Sequence, residues 1–95
     1  MSERIFEWDD EKASRNIKKH GVHFEDAALV FDDADRIEEY DVEHSVDEDR
    51  WITIGMVDAV LYVVYTERGE ATRLISARKA TPHERRRYYD HQEMY

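Results

Sequence analysis

The chain has 95 residues, of which 41% are hydrophobic and 39% charged, and its formal net charge is -9. This length has room for one small core, so we expect a single domain over residues 1–95. The absence of cysteine excludes disulfides, thiolate zinc sites and a cysteine nucleophile. No apolar run approaches the ~20 residues of a membrane helix, and the first residues lack an export signal. We therefore expect a cytoplasmic protein without a membrane association.

The charge is divided unevenly along the chain. Residues 1–49 carry 17 acidic and 6 basic side chains, whereas residues 50–95 carry 6 acidic and 8 basic ones. Within residues 68–87, seven basic side chains stand against two acidic ones, and six of the seven are arginine. The net charge opposes association with nucleic acid. The arginine cluster still favours phosphate binding, because a guanidinium is a rigid, two-pronged donor.

The first part of the chain predicts a short strand and then two helices. Residues 4–8 alternate polar and apolar side chains, which indicates a strand. Asp9 or Asp10 is a suitable N-cap for a helix that ends near Lys19, just before a glycine at the C′ position. A second helix is predicted over about residues 24–31 from apolar side chains at helical spacing.

Residues 32–49 are polar and rich in Asp and Glu. We predict one short or edge strand near residues 35–40, followed by a loop. The segment is interpreted as a solvated surface, with a docking site for a basic partner segment as the alternative.

Residues 51–57 and 60–66 are rich in β-branched and aromatic side chains and predict two strands joined by Asp58-Ala59. A two-residue turn there would pair Ile54 with Val63 and Arg50 with Glu67. The predicted core face then contains Ile52, Ile54, Met56, Leu61, Val63 and Tyr65.

A third strand is predicted over residues 72–78, with Ile75 and Ala77 on the core face and Ser76 and Arg78 on the other face. Thr81-Pro82-His83-Glu84 has the pattern of a complete capping box, so a C-terminal helix is predicted through residues 85–92 and on toward Tyr95. The fold class is therefore α+β: a short N-terminal strand, two helices, an antiparallel meander of about four strands, and a C-terminal helix.

Several kinds of site lack support in the sequence. Its three glycines are not clustered, so there is no glycine-rich phosphate loop. None of the five histidines has the i, i+4 spacing of a helical zinc pair. Ser76 lies inside a predicted strand rather than on the strained turn that a serine nucleophile needs. We expect neither a metal ion nor a cofactor.

The remaining candidate for a functional site is an arginine-rich face of the predicted sheet. Arg78 and Lys79 end the third strand, Arg85 follows in the last helix, Arg68 lies in a hairpin turn, and Arg50 begins a neighbouring strand. Converging arginines suit the developing negative charge of a phosphodiester under attack. In a metal-free ribonuclease the 2′-hydroxyl attacks phosphorus, and this reaction also needs a base and an acid. The proton-transfer candidates are Glu67, His44, Tyr62 and Lys79.

Plainer interpretations stand beside these candidates. Arg50 and Glu67 also fit an ordinary cross-strand ion pair. His44 also fits a surface residue of the acidic loop, and Tyr62 also fits a packing residue.

Five segments occur in a characteristic order and spacing across residues 5–89. They are FEWDDEKASRNIKKHGVHFEDAALVF, DRWITIG, LYVVYTERG, RLISARKAT and HERRRYY. With these segments the chain resembles the BrnT family of type II toxin–antitoxin toxins, which are ribonucleases with a RelE-like fold. The resemblance implies metal-independent RNA cleavage. It also implies a ribbon-helix-helix antitoxin, similar to BrnA, which binds both the toxin and DNA, so that the toxin reaches DNA only through its partner.

The family pattern has polar or charged residues at Arg50, Arg68, Arg73, Ser76, Arg78 and the Glu84-Arg85 pair. From their chemistry we expect Arg78, then Arg50 and Arg68, to act in catalysis, with Glu67 or Lys79 in proton transfer. RNA binding is expected of Arg73, Arg85, Tyr62 and Ser76. The alternative is a catalytically weak or inactive module that acts with a DNA-binding antitoxin in operon repression, and the acidic composition favours it.

Overall fold

The computed structural model describes residues 3–93, which form a five-stranded mixed sheet with helices on both faces. The elements are β1 (Ile5–Glu7), α1 (Asp10–His20), α2 (Phe24–Leu29), β2 (Ile37–Tyr40), β3 (Trp51–Val57), β4 (Ala59–Arg68), β5 (Ala71–Lys79) and α3 (Pro82–Glu93). A 3₁₀ turn, Val30–Asp32, follows α2. The strand order is β1-β5-β4-β3-β2; β1 runs parallel to β5 and the other pairs are antiparallel. The predicted α+β class is confirmed, while Tyr95 lies outside the described residues.

None of the helices described between residues 3 and 93 is both long and apolar enough to cross a membrane.

Caps confirm the predicted start and end of α1 and the predicted start of α3, whereas α2 ends at Leu29 rather than near residue 31. The Asp9 carboxylate accepts a hydrogen bond from the Lys12 amide (3.0 Å), and Gly21, at φ 71°, donates its amide to the Ile17 carbonyl (2.8 Å). At the start of α3, the Thr81 amide donates to Glu84 Oε1 (2.9 Å) and the Glu84 amide donates to Thr81 Oγ1 (3.2 Å). Each cap satisfies backbone groups that a helix end leaves unpaired.

The predicted register of β3 and β4 is wrong by one residue. Val57 pairs with Ala59 and Ile54 pairs with Tyr62, so Asp58 alone separates the two paired strands. Asp58 has φ 59°, a left-handed conformation that the short polar side chain of aspartate tolerates. Ala59 therefore belongs to the strand, and the two-residue turn does not form.

This shift moves side chains between the faces of the sheet, because successive strand residues point to opposite sides. On the side of α1 and α2, the sheet buries Leu61, Val63, Tyr65, Leu74 and Ala77. They belong to one core cluster with Phe24 of α2 and with Val30 and Phe31 of the 3₁₀ turn. The face toward α3 has the buried residues Ile52, Ile54, Val60, Ala80 and Tyr88, with Met56 packed against them. The predicted single core face is therefore wrong: its β3 members and its β4 members lie on opposite sides.

A bulge in β5 overturns another part of the prediction. Tyr65 pairs with Leu74 and Val64 pairs with Ser76, so Ile75 is the extra residue. Leu74 consequently joins Ala77 on the α1–α2 face, where Ile75 was expected.

The edge of β5 is covered by a strand along only part of its length. The last pair with β1 joins Glu7 to Arg73. Beyond it, Asn16 of α1 takes the place of a strand: its amide nitrogen donates to the Ala77 carbonyl (2.8 Å), and its oxygen accepts from the Ala77 amide (3.1 Å). The same amide nitrogen donates to the Val22 carbonyl (2.9 Å). One buried side chain thus attaches α1 to the sheet.

Gly55 in β3 lies where the 3₁₀ turn approaches the sheet. A Cβ added there would lie 2.7 Å from Val30 Cγ1 and 3.1 Å from Arg36 Cβ. Val30 is fully buried, so it has little room to move. We expect Gly55→Ala to lower the free energy of unfolding by about 1–3 kcal/mol, measured by urea denaturation. In the Gly55→Ala/Val30→Ala double variant the loss should be smaller than the sum of the single losses; additive losses would contradict the proposed clash.

Candidate active site

The α3-side face of the sheet is only partly covered. Helix α3 packs on β3 and β4 through Tyr88. The remaining surface forms a cleft of about 290 Å³ beside the acidic loop, which is residues 41–50 between β2 and β3. Its lining residues are Asp41, His44, Arg50, Tyr62, Val64, Ile75, Ser76 and Arg78. The cleft therefore contains four of the expected catalytic and RNA-binding residues (Arg50, Tyr62, Ser76 and Arg78), together with the proton-transfer candidate His44.

Arg78 is the best-anchored cation of the cleft. Its guanidinium carbon lies 3.9 Å from the centroid of the Tyr62 ring, directly opposite it in the sheet. Two nitrogens bind the Glu84 carboxylate, at 2.8 and 3.0 Å, and Nη1 also donates to the Lys79 carbonyl (3.2 Å). The hydrogen bond to Glu84 raises the pKa of Arg78 above its ordinary value. Three of five N–H groups are engaged in these bonds, which leaves two for a phosphate.

Glu84 is itself held in place from two sides. Burial raises its pKa, but hydrogen bonds from Arg78 and Thr81 outweigh this effect, so the pKa of Glu84 lies below its ordinary value. The capping carboxylate of α3 thereby fixes the orientation of the Arg78 fork.

Tyr62 remains a protonated phenol at neutral pH. Burial raises the pKa of Tyr62 above its ordinary value, and the positive charge of Arg78 offsets only part of this increase. A neutral phenol in a cleft can donate its proton to a developing alkoxide.

The acidic loop contributes a paired histidine and aspartate. His44 Nδ1 lies 3.1 and 2.9 Å from the two carboxylate oxygens of Asp41. The Asp41 side chain is 11% exposed and that of His44 is 61% exposed. With Nδ1 as the donor to the carboxylate, Nε2 carries the lone pair and is able to accept a proton.

Backbone and hydroxyl contacts hold the loop that carries this pair. Ser45 Oγ donates to the Asp41 carbonyl (2.6 Å) and accepts from the Arg50 amide (2.9 Å), and the Asp41 amide donates to the Arg50 carbonyl (2.9 Å). Asp41 and Arg50 are therefore joined across the base of the loop. Sequence reasoning missed Asp41, although its spacing of three residues from His44 in a short loop was a usable signal.

The expected Arg50–Glu67 pair is absent. Glu67 lies opposite Thr72 and on the α1–α2 side of β4, where its carboxylate accepts from Thr72 Oγ1 (3.1 Å) and contacts Arg4 Nη1 (3.5 Å). Among residues 3–92, no carboxylate oxygen lies within 4 Å of the Arg50 side-chain nitrogens. Arg50 is therefore available to a ligand in the cleft.

The other predicted residues lie outside the cleft. Lys79 pairs with Leu61 and shares its α1–α2 face, and Arg68 contacts Glu48 (3.4 Å). Arg73 binds Glu7 (2.7 Å), and Arg85 donates to the Ala80 carbonyl (3.2 Å).

In the part of the chain that the structure describes, no three side chains of His, Asp or Glu are grouped to hold a metal ion.

Comparisons with known proteins identify the family and the fold of the chain. The family model described as the ribonuclease toxin BrnT of type II toxin–antitoxin systems matches residues 8–84. The crystal structure of the Brucella abortus ribonuclease toxin BrnT has 26% sequence identity and a TM-score of 0.60, covering 84% of this chain and 99% of that one. A search of curated proteins gives no significant match. Since the family model covers most of its length, the chain belongs to the BrnT family of ribonuclease toxins of type II toxin–antitoxin systems.

Proposed function

We propose that the protein is an RNA endonuclease that needs no metal ion and cleaves by attack of a 2′-hydroxyl on the adjacent phosphorus. The observation that supports this most is the cleft itself. It holds a histidine paired with a carboxylate, two arginines and a neutral phenol on one surface. These are the groups that such a reaction requires: a base, cations for the phosphate, and an acid.

In the proposed reaction, Nε2 of His44 removes the proton from the 2′-hydroxyl while O2′ forms a bond to phosphorus. Arg78 and Arg50 stabilise the negative charge on the phosphorane oxygens. The P–O5′ bond then breaks, and Tyr62 donates its proton to the leaving O5′. The products are a 2′,3′-cyclic phosphate and a 5′-hydroxyl, and the proton on His44 returns to Tyr62 through solvent.

We choose His44 as the base because it lies on the same side of the sheet as the arginines of the cleft, unlike the other candidate bases. Glu67 and Lys79 share the α1–α2 face of the sheet, whereas the arginines of the cleft lie on the α3 face. Asp41 is a positioning residue in this proposal, because it holds the imidazole in the tautomer with a free Nε2 lone pair.

The test is cleavage of single-stranded RNA by the purified chain in EDTA, with analysis of the fragment ends. We expect 2′,3′-cyclic phosphate and 5′-hydroxyl ends. His44→Ala should lower the rate by about 10²–10⁴-fold, because a general base is lost. Added imidazole should restore part of this activity, since His44 is well exposed. Fragments with 5′-phosphate ends, or activity that appears only with added metal, would overturn the proposal.

Two further variants separate chemistry from folding. His83→Ala, which removes an exposed histidine outside the cleft, should leave the rate unchanged. Asp41→Asn should lower the rate and should also change the ¹⁵N shifts of the His44 ring, which report its tautomer. An Asp41→Asn protein with normal ring shifts and a full rate would show that the pair has no catalytic role.

Membership of a type II system implies an antitoxin partner, and we propose a BrnA-like ribbon-helix-helix protein that covers the cleft and contacts DNA itself. The rim of the cleft supports this: the acidic loop exposes Val42 (79%) and Val46 (83%) next to His44. An apolar and acidic rim suits a basic partner segment with apolar side chains. Addition of the antitoxin should stop cleavage and protect this loop from hydrogen exchange.

Two observations favour a second function. Glu84 occupies two nitrogens of Arg78, and the chain is strongly acidic. Both features suit a catalytically weak module that acts with a DNA-binding antitoxin in repression. A folded chain that leaves RNA intact but increases the affinity of the antitoxin for operator DNA would support this second function.

A further inference from the structure

A second groove, of about 270 Å³, lies on the other side of the β5 edge. It is lined by Lys12, Arg15, Asn16, Lys19, His20, Ile75 and Ser76. The cations Lys12, Arg15 and Lys19 are exposed, and no carboxylate oxygen among residues 3–92 lies within 4 Å of their side-chain nitrogens. We name this surface the α1 groove.

The cations of the α1 groove share one side of the helix. Lys12, Arg15 and Lys19 have the i, i+3, i+7 spacing that aligns side chains along a helix. At 1.5 Å per residue, Lys12 and Lys19 lie ~10 Å apart along the axis. An extended row of cations suits an extended row of phosphates better than a single ion.

The helix dipole explains only part of this pattern. Lys19 is in the last turn of α1, where positive charge stabilises a helix. Lys12 is in the first turn, where the dipole opposes positive charge, and Arg15 is in the middle. Neither Lys12 nor Arg15 is placed to stabilise α1 through its dipole. Their alignment with Lys19 on one side of the helix therefore indicates a binding surface for a ligand.

The α1 groove adjoins the active-site cleft. Ile75 and Ser76 line both. The reason is the local structure of β5: β1 ends at the pair with Arg73, and Ile75 is the bulged residue. A strand in the cleft can therefore pass over the edge of β5 at Ser76 and continue along α1.

The distribution of charge around the cleft indicates the direction in which a bound RNA strand leaves it. The acidic loop borders the far side of the cleft, where Glu43, Asp47 and Glu48 surround His44 and Arg50. A polyanion is repelled there and attracted on the α1 side. We propose that the α1 groove binds the backbone phosphates of the RNA strand next to the scissile phosphate. The inference rests on the proposed ribonuclease function and gives an acidic protein a local site for RNA.

The test measures binding rather than cleavage, using a fluorescent single-stranded 2′-O-methyl RNA that has no attacking hydroxyl. The Lys12→Gln/Arg15→Gln variant should bind about tenfold more weakly than the natural chain. Its plot of log K against log [salt] should be shallower by about 1.4, since each phosphate contact on a single strand contributes about 0.7. The matched control is Lys18→Gln/Arg86→Gln, which loses one Lys and one Arg outside the groove and has the same net charge of -11, from -9 less two cations.

The outcomes distinguish this inference from the proposed function. Weaker binding and a shallower slope in the groove variant alone support the inference, whether or not the natural chain cleaves RNA. Equal losses of affinity and of salt dependence in both variants would show that only the net charge matters, and this result would overturn the inference. So would a groove variant that binds RNA normally but loses affinity for the antitoxin, because the groove is then a protein interface. A natural chain that does not bind the RNA also overturns it.

Discussion

Replacement of Arg78 by alanine is expected to lower the rate of RNA cleavage by about 10²–10³-fold, as for removal of one preorganised donor to a developing oxyanion. The Arg78 guanidinium stacks on the Tyr62 ring and is hydrogen-bonded to Glu84, so it is oriented before RNA binds. The measurement is cleavage in vitro, together with growth and total RNA after induction of the chain alone in bacteria. Growth arrest and RNA fragmentation should both be lost.

Arg86→Ala is the matched control, because it removes an exposed arginine of α3 that does not line the cleft. It should retain full activity. Arg78→Lys keeps the charge but not the two-pronged geometry, so it should recover only part of the rate. Thermal unfolding of each variant separates loss of chemistry from loss of the Glu84 contact. A folded Arg78→Ala protein that remained fully toxic would contradict the proposed site.

Asn16→Leu is expected to have the largest effect on stability. The Asn16 side chain is buried, and it satisfies three backbone groups: the amide and carbonyl of Ala77 and the carbonyl of Val22. A leucine would leave all three without a partner. Each buried unsatisfied group costs about 1–3 kcal/mol, so the loss of all three should lower the free energy of unfolding by about 3–9 kcal/mol.

Urea denaturation measures this loss, and Ser14→Leu is the control. It introduces the same side chain at an exposed position two residues away in α1, and its effect should stay within about 0.5 kcal/mol. Hydrogen exchange of the Ala77 amide should accelerate in Asn16→Leu alone. A small loss of stability, with the Ala77 amide still protected, would show that β5 does not depend on Asn16 at this edge.

The acidic composition and the proposed ribonuclease function are compatible because the charges are separated in space. Ten of the acidic residues lie in the segment 32–49, which forms β2 and the loop beside the cleft. The cations of α1 lie across β5 from that loop. Since salt screens exposed charges beyond about 10 Å, the local charge matters more than the net charge at the ionic strength of a cell.

The positions of the candidate site residues depend on long-range contacts. The one-residue register shift at Asp58 and the bulge at Ile75 together decide which β4 and β5 side chains share a face. Glu67 was expected beside Arg50 but lies on the other side, and His44 with Asp41 takes the place in the cleft that Glu67 was expected to fill. The alternation of apolar residues did not reveal the shift, because helices pack on both faces of β3 and β4 and both faces carry buried apolar side chains.

The sequence by itself determined the features that depend on near neighbours. Asp9, Gly21 and the Thr81–Glu84 box set the ends of helices, since caps act within a few residues. The family segments likewise predicted the family and the α+β fold. Only the tertiary structure decided the strand register, the attachment of β5 to Asn16, and the juxtaposition of His44, Arg50 and Arg78. Those contacts join residues far apart in the chain, and their free energy comes from pairing and packing that no local pattern encodes.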